Sequence, residues 1–159
     1  MFRYVLEGLP MKSIDPINSV LELKGRQVWS VAPTTVVFEA IRMMSNKGVG
    51  ALLVMSEGKL YGIVSERDYA RKVILRDRSS RMTQVREIMT TPVLTVTPKD
   101  TVGECMRLMT EHHIRHLPVL EGDRVVGIVS IGDLVNWIVT AQEEMIGQLE
   151  GYITGRYPG

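Results

Sequence analysis

The chain has 159 residues, 45% of them hydrophobic and 23% charged, with a formal net charge of +1. That is the composition of a globular protein with one ordinary domain or two small ones sharing a core, and the balanced charge gives no sign of a polyanion partner or a disordered tail. No apolar run approaches the roughly 18 residues of a membrane span, no basic segment followed by an apolar signal core opens the chain, and the lone Cys105 cannot form an internal disulfide, so the expectation is a cytoplasmic protein with neither membrane nor nucleic-acid partner.

In chain order, Phe2, Val5, Leu6 and Leu9 have the spacing of a short amphipathic helix that Pro10 ends. Ile17 to Leu23 reads as a second short helix closed by Gly25. From Val28 the chain repeats itself. Shifted by 65 residues, 28–73 aligns with 93–138 without a gap, so that Pro33 meets Pro98, Glu39 meets Glu104 and Arg42 meets Arg107. About a third of the aligned positions are identical, which points to two like units.

Each unit opens with a short apolar strand, Val28 to Val31 or Val93 to Val96, ending at a proline. Val37, Ile41 and Met44, or Val102, Met106 and Met109, then recur at helical spacing. Thr35 is the expected cap of the first of these helices, and Thr101 with Glu104 makes a capping box for the second. Two strands follow (Ala51 to Met55 and Leu60 to Val64; His116 to Leu120 and Val125 to Val129), joined by turns short enough for a β-hairpin. A last helix begins at Ser65-Glu66-Arg67-Asp68 or Ser130-Ile131-Gly132-Asp133.

This order, β-α-β-β-α, leaves each small sheet with one face poorly covered, and packing the two units sheet against sheet solves that. The linker after Leu75, basic and then carrying Val85, Ile88 and Met89 at helical spacing, reads as a crossover docked on the second unit. The organisation expected is a helical segment (1–24), a first repeat (25–78), a crossover linker (79–92), a second repeat (93–140) and a C-terminal helix and tail (141–159). In the last of these, Val139, Met145, Ile146, Leu149 and Ile153 form an apolar stripe suited to the chain's own core or to a second subunit.

The stretch Gly-Ile-Val-Ser-x-x-Asp, at Gly62 to Asp68 and again at Gly127 to Asp133, is the centre of the functional reading. Ser and Asp three residues apart at a strand-to-helix junction cap the helix. The same place suits a nucleotide, because first-turn amides favour phosphate and a carboxylate accepts two ribose hydroxyls. No Ser-His-Asp or Cys-His arrangement suggests an enzyme. His112, His113 and His116 lie close together without a carboxylate at matching spacing, so no metal is expected. The basic run Arg71, Lys72, Arg76, Arg78 and Arg81 has interleaved acids and no stacking aromatics, which reads as a solvated face rather than a nucleic-acid surface.

The duplicated Gly-Ile-Val-Ser-x-x-Asp, the His-Leu-Pro-Val at His116 to Val119, the Val-x-Pro openings at Val31 and Val96 and the β-α-β-β-α order resemble tandem cystathionine-β-synthase (CBS) domains, the paired Bateman module. The resemblance covers about residues 25 to 140 with no catalytic domain attached. It implies an α/β (α+β) fold of two repeats packed sheet to sheet with pseudo-twofold symmetry. The implied function is a stand-alone regulatory, signal-transducing module that binds adenosine nucleotides in clefts between the repeats as a homodimer. AMP is the foremost ligand, with ATP, ADP or NAD as the others, no further cofactor, and a protein target that receives the signal.

By that resemblance one cleft takes Ser65, Arg67 and Asp68 with Val93, Leu94, Ile114, Arg115, His116 and Leu117. Asp68 would hold the ribose, and Ser65, Arg67, Arg115 and His116 would meet phosphate. The other takes Ser130, Gly132 and Asp133 with Val28, Trp29, Val49, Gly50 and Ala51. Gly50 and Ala51 stand where the first cleft has Arg115 and His116, so this second cleft should hold phosphate less firmly. The competing reading is a ligand-free oligomerisation or adaptor module.

Overall fold

A computed structural model describes residues 11–140 of the chain. The N-terminal helix expected over residues 2–9 and the apolar stripe beyond Thr140 lie outside them. After a 3-10 turn at Met11–Ile14 come α1 (Ile17–Lys24), β1 (Ser30–Val31), α2 (Val37–Lys47), β2 (Ala51–Ser56), β3 (Lys59–Ser65) and α3 (Glu66–Lys72). Two further 3-10 turns, Ile74–Arg76 and Val85–Glu87, lead to α4 (Val102–Glu111), β4 (His116–Glu121), β5 (Arg124–Ser130) and a helix α5 over 131–140. The fold is mixed α/β, built from two repeats with helices and small sheets.

In the first repeat the sheet order is β1-β2-β3, with β1 parallel to β2 and β2 antiparallel to β3. The hairpin turns through Glu57 and Gly58, both at positive φ, the backbone a two-residue hairpin needs to follow the strand twist. In the second repeat only β4 and β5 pair, and the strand expected over Val93 to Val96 does not form. The cause is one residue. The Leu53 amide donates to the Trp29 carbonyl at 3.1 Å, joining β2 to the chain just before β1. The position equivalent to Leu53 is Pro118, which has no amide to give.

The described residues divide into two compact units, one of 26–95 with 118–128, the other of 11–25 with 96–117 and 129–140. The first has a core of Val31, Val37, Ala40, Met44, Leu52, Val54, Val64, Val73, Val85 and Ile88. The second buries Ile17, Val20, Leu21, Val102, Cys105, Met109, Leu117, Leu134 and Ile138. Cys105 is a packed thiol pushed up to about 12 by burial and by the carboxylates of Asp100 and Glu104, so it is protonated and unreactive at neutral pH.

Each unit is completed by a strap of chain. In the first, Val85 and Arg86 donate their amides to the carbonyls of Thr35 and Pro33, the Val37 amide donates to Thr83, and Thr90 exchanges two backbone bonds with Ile63. The linker thus docks on the first repeat, not on the second as expected. Its buried Val85 and Ile88 join the core that α2 and β2 already form. In the second unit the matching bonds come from the N-terminal segment: Ile17 donates to Asp100, Asn18 to Pro98, and Val102 to Asp15. Each repeat therefore holds the strap that precedes the other. Thr101 caps α4 by accepting from the Glu104 amide at 3.1 Å, as expected. Thr35 does not cap α2: the N-cap is Val36 without a side-chain bond, and the Thr35 carbonyl is used by the strap.

Gly62 is where the strap sets a residue requirement. A Cβ there would lie 2.7 Å from Met89 Sδ and 3.1 Å from the Thr90 carbonyl. The Met89 side chain can swing aside, but the backbone carbonyl is paired to Ile63 and cannot. Gly62→Val should therefore cost about 1–3 kcal/mol by overpacking and detach the strap locally. The check is hydrogen exchange of the Thr90 amide; protection equal to that of the unchanged protein would contradict this account of the glycine.

Candidate functional site

Both Ser-x-x-Asp turns form reciprocal capping boxes. Asp68 Oδ2 accepts from the Ser65 amide at 3.0 Å and from Ser65 Oγ at 3.1 Å, while the Asp68 amide donates back to Ser65 Oγ at 3.2 Å. Asp133 Oδ2 accepts from the Ser130 amide at 2.8 Å and its own amide donates to Ser130 Oγ at 3.1 Å. The start of the preceding strand lies against each turn: the Glu66 amide donates to the Gly50 carbonyl and the Ile131 amide to the Arg115 carbonyl. Strand start and helix start of one repeat are thereby held together at both places.

The two carboxylates differ in what else they touch. On its other oxygen Asp68 meets Lys72 Nζ at 3.0 Å, one turn along α3, and Thr90 Oγ1 at 3.3 Å from the strap. Lys72 also donates to the Ile88 carbonyl, so it binds the strap and the carboxylate at once. Asp68 is left 13% exposed. Asp133 is 26% exposed and meets Lys24 Nζ at 2.5 Å, from the last residue of α1, 109 residues away in sequence. Sequence reasoning missed Lys24, Lys72 and Thr90. The i,i+4 spacing of Asp68 and Lys72 was a usable signal, whereas Lys24 and Thr90 arrive on the straps, whose docking no local pattern discloses.

Burial pushes the Asp133 carboxyl up, but the Lys24 hydrogen bond, the Ser130 amide, the Lys24 charge and the Ser130 hydroxyl together hold it below the usual carboxylate value of 3.8. His116 is held below its ordinary 6.5, first by burial, with Asp133 opposing and the charges of Lys24 and Arg115 assisting. At pH 7 this cluster therefore contains an ionised carboxylate, a neutral imidazole and two cations.

Both shifts have the same consequence for stability. Below pH 6.5 the unfolded chain protonates His116 more readily than the folded one, so stability falls as pH drops from 6.5 through the depressed folded value. The Asp133 contribution is present above pH 3.8 and is lost as pH falls through its lowered folded value. His116→Gln should flatten the upper part of that decline in a urea-midpoint against pH series, and an unchanged slope between pH 6.5 and 5 would show that His116 does not cause it.

The expected first cleft draws Ser65, Arg67, Asp68, Val93 and Leu94 from one unit and Ile114 to Leu117 from the other. The expected second draws Ser130, Gly132 and Asp133 from one unit and Val28, Trp29, Val49, Gly50 and Ala51 from the other. Within single units, Arg115 and His116 share a unit with Ser130 and Asp133, and Gly50 and Ala51 share one with Ser65 and Asp68. Trp29 is half-buried with the Lys47 ammonium 4.1 Å above its ring. Among the described residues no helix is long and apolar enough to cross a membrane.

Residues 20–75 and 85–140 each match the family model of the CBS domain. The chain is 40% identical over 151 residues to the mitochondrial CBS domain-containing protein CBSX3 of Arabidopsis thaliana, covering 89% of this chain and 73% of that one. A structure of a protein with CBS domains from Burkholderia ambifaria superposes with a TM-score of 0.77 at 48% identity, over 80% of this chain and 96% of the other. The CBS domain pair of protein MJ0100, solved in complex with 5'-methylthioadenosine and S-adenosyl-L-methionine, superposes with a TM-score of 0.69 at 26% identity, over 77% of this chain and 94% of the other.

Proposed function

The chain belongs to the CBS-domain family, whose paired modules are regulatory and ligand-binding, and on that premise we propose that it is a sensor of adenosine-containing ligands whose occupancy alters its conformation or its affinity for a partner. The observation that carries the reading is Asp133: an ionised, partly exposed carboxylate at the start of a helix, with Ser130, Lys24, Arg115 and His116 in the same unit. Such a carboxylate accepts two ribose hydroxyls, and the neighbouring ammonium and guanidinium suit a phosphate on the same nucleoside. The adenosine ligands of the MJ0100 pair support this class of compound.

This placement reverses the expected ranking of the two sites. The cations assigned by resemblance to the Asp68 cleft belong to the unit that holds Asp133. We therefore assign the phosphate-bearing ligand, AMP first and then ADP, ATP or NAD, to the Asp133 side. Around Asp68 the observations favour the other reading, a structural role, because its oxygens are engaged by Ser65, Lys72 and Thr90. The chemistry places no catalytic step at either site. The protonated, buried Cys105 accords with a reducing compartment such as the cytoplasm.

The test is a thermal-shift panel of AMP, ADP, ATP, NAD and S-adenosylmethionine. A ligand present at 100 times its dissociation constant stabilises the fold by about 2.7 kcal/mol. A clear rise in melting temperature with at least one compound is expected, and no rise with any of them at millimolar concentration would reject the proposal.

A further inference from the structure

Two exposed apolar surfaces of opposite charge remain outside the nucleotide reading. One is the bend after α3: Leu75 is 78% and Met82 83% exposed, with Ile74 exposed between α3 and Leu75. Arg71, Arg76 and Arg81 lie on the same stretch, also exposed, against the one acid Asp77. Large side chains this exposed in a short segment mark a contact surface more often than a bare loop.

The other surface begins on α5. Val135 and Val139, one turn apart, are exposed there, so the chain's own described residues leave that face uncovered. In the sequence the same helical face continues through Ile146 and Ile153, at steps of seven residues, and Met145 and Leu149 widen it. Its flanks are acidic, with Glu143, Glu144 and Glu150.

We infer that the basic, apolar bend at residues 71–82 receives the acidic, apolar C-terminal segment 141–153 of a second copy of this chain. The occupant is chosen by charge and shape of pattern: a stripe of Met, Ile and Leu flanked by glutamates meets Ile, Leu and Met flanked by arginines. A second copy is the economical source. Every chain carries one bend and one segment, so a twofold pair makes the contact twice with no surface left over. The inference stands apart from the nucleotide proposal and uses none of its residues.

The experiment uses two full-length variants, one with Glu143→Lys, Glu144→Lys and Glu150→Lys, the other with Arg71→Glu and Arg76→Glu, followed by sedimentation velocity. All substituted positions in the second variant are exposed, and circular dichroism confirms that both variants are folded; a chain ending at residue 140 serves as a third probe. The unchanged protein should be a dimer, and each variant alone, like the truncated chain, should dissociate at a concentration at least tenfold higher. Mixing the two variants should restore the dimer, because the lysines of one then face the glutamates of the other at both contacts. A monomeric unchanged protein, which would place the segment on its own chain, overturns the inference. So does a dimer or larger assembly that both variants leave intact, and so does a mixture that fails to associate.

Discussion

Asp133→Ala should weaken binding of an adenosine nucleotide by about two orders of magnitude. Hydrogen bonds to a charged group contribute about 1.5–3 kcal/mol each, and a tenfold change in affinity corresponds to about 1.4 kcal/mol. Losing two ribose bonds to the carboxylate thus removes a factor of a hundred or more. The substitution also removes one half of a capping box, which costs about 1 kcal/mol of stability. Titration calorimetry separates the effects, since the dissociation constant is read on the folded protein. Ser130→Ala is the control: it loses the bond from the Asp133 amide to its hydroxyl yet keeps the carboxylate. If Asp133→Ala binds as tightly as the unchanged protein, the carboxylate does not hold the sugar. Asp68→Ala should act chiefly on stability, through the lost contacts to Lys72 and Thr90.

Leu21→Ala should destabilise the fold by about 2–5 kcal/mol, the usual cost of emptying a fully buried leucine site. Leu21, Ile17 and Val20 are the buried face of α1, and the backbone bonds of Ile17 and Asn18 to Asp100 and Pro98 fix that face on the second repeat. Trp137 Nε1 donates to Asp15 Oδ2 at 3.1 Å, a further bond between α5 and this segment. A segment that precedes the repeats in sequence is therefore core of the second one. Urea denaturation provides the measurement, and a midpoint within error of the unchanged protein would mean that α1 is a dispensable appendage.

The repeat, the helix starts and the hairpins were legible because each is a local matter. Ser65 and Asp68, or Ser130 and Asp133, are three residues apart, and Val37, Ala40 and Met44 mark one face of α2. Gly25 closes α1 as expected, by donating to the Leu21 carbonyl. What was not legible depends on partners far away in sequence. Nothing within 79–92 tells that it pairs with Thr35 and Ile63 rather than with the second repeat. Nothing near Asp133 announces Lys24. The loss of the strand at Val93 to Val96 was written in Pro118, yet reading it requires knowing which amide the strand would have used. The cation assignment followed the resemblance across repeats, whereas the Ile131 to Arg115 bond ties Arg115 to its own repeat.

The crossed straps bear on how the polypeptide can be cut. A break near residue 80 would yield a front fragment carrying the clasp of the rear one, and a rear fragment carrying the clasp of the front. Expressed singly, each fragment would expose the apolar face of a clasp with nothing to grip and a core with its lid missing. Produced together, the fragments have reason to find each other, and their mutual rescue would be a direct measure of how strongly the duplicated halves depend on trading these few residues.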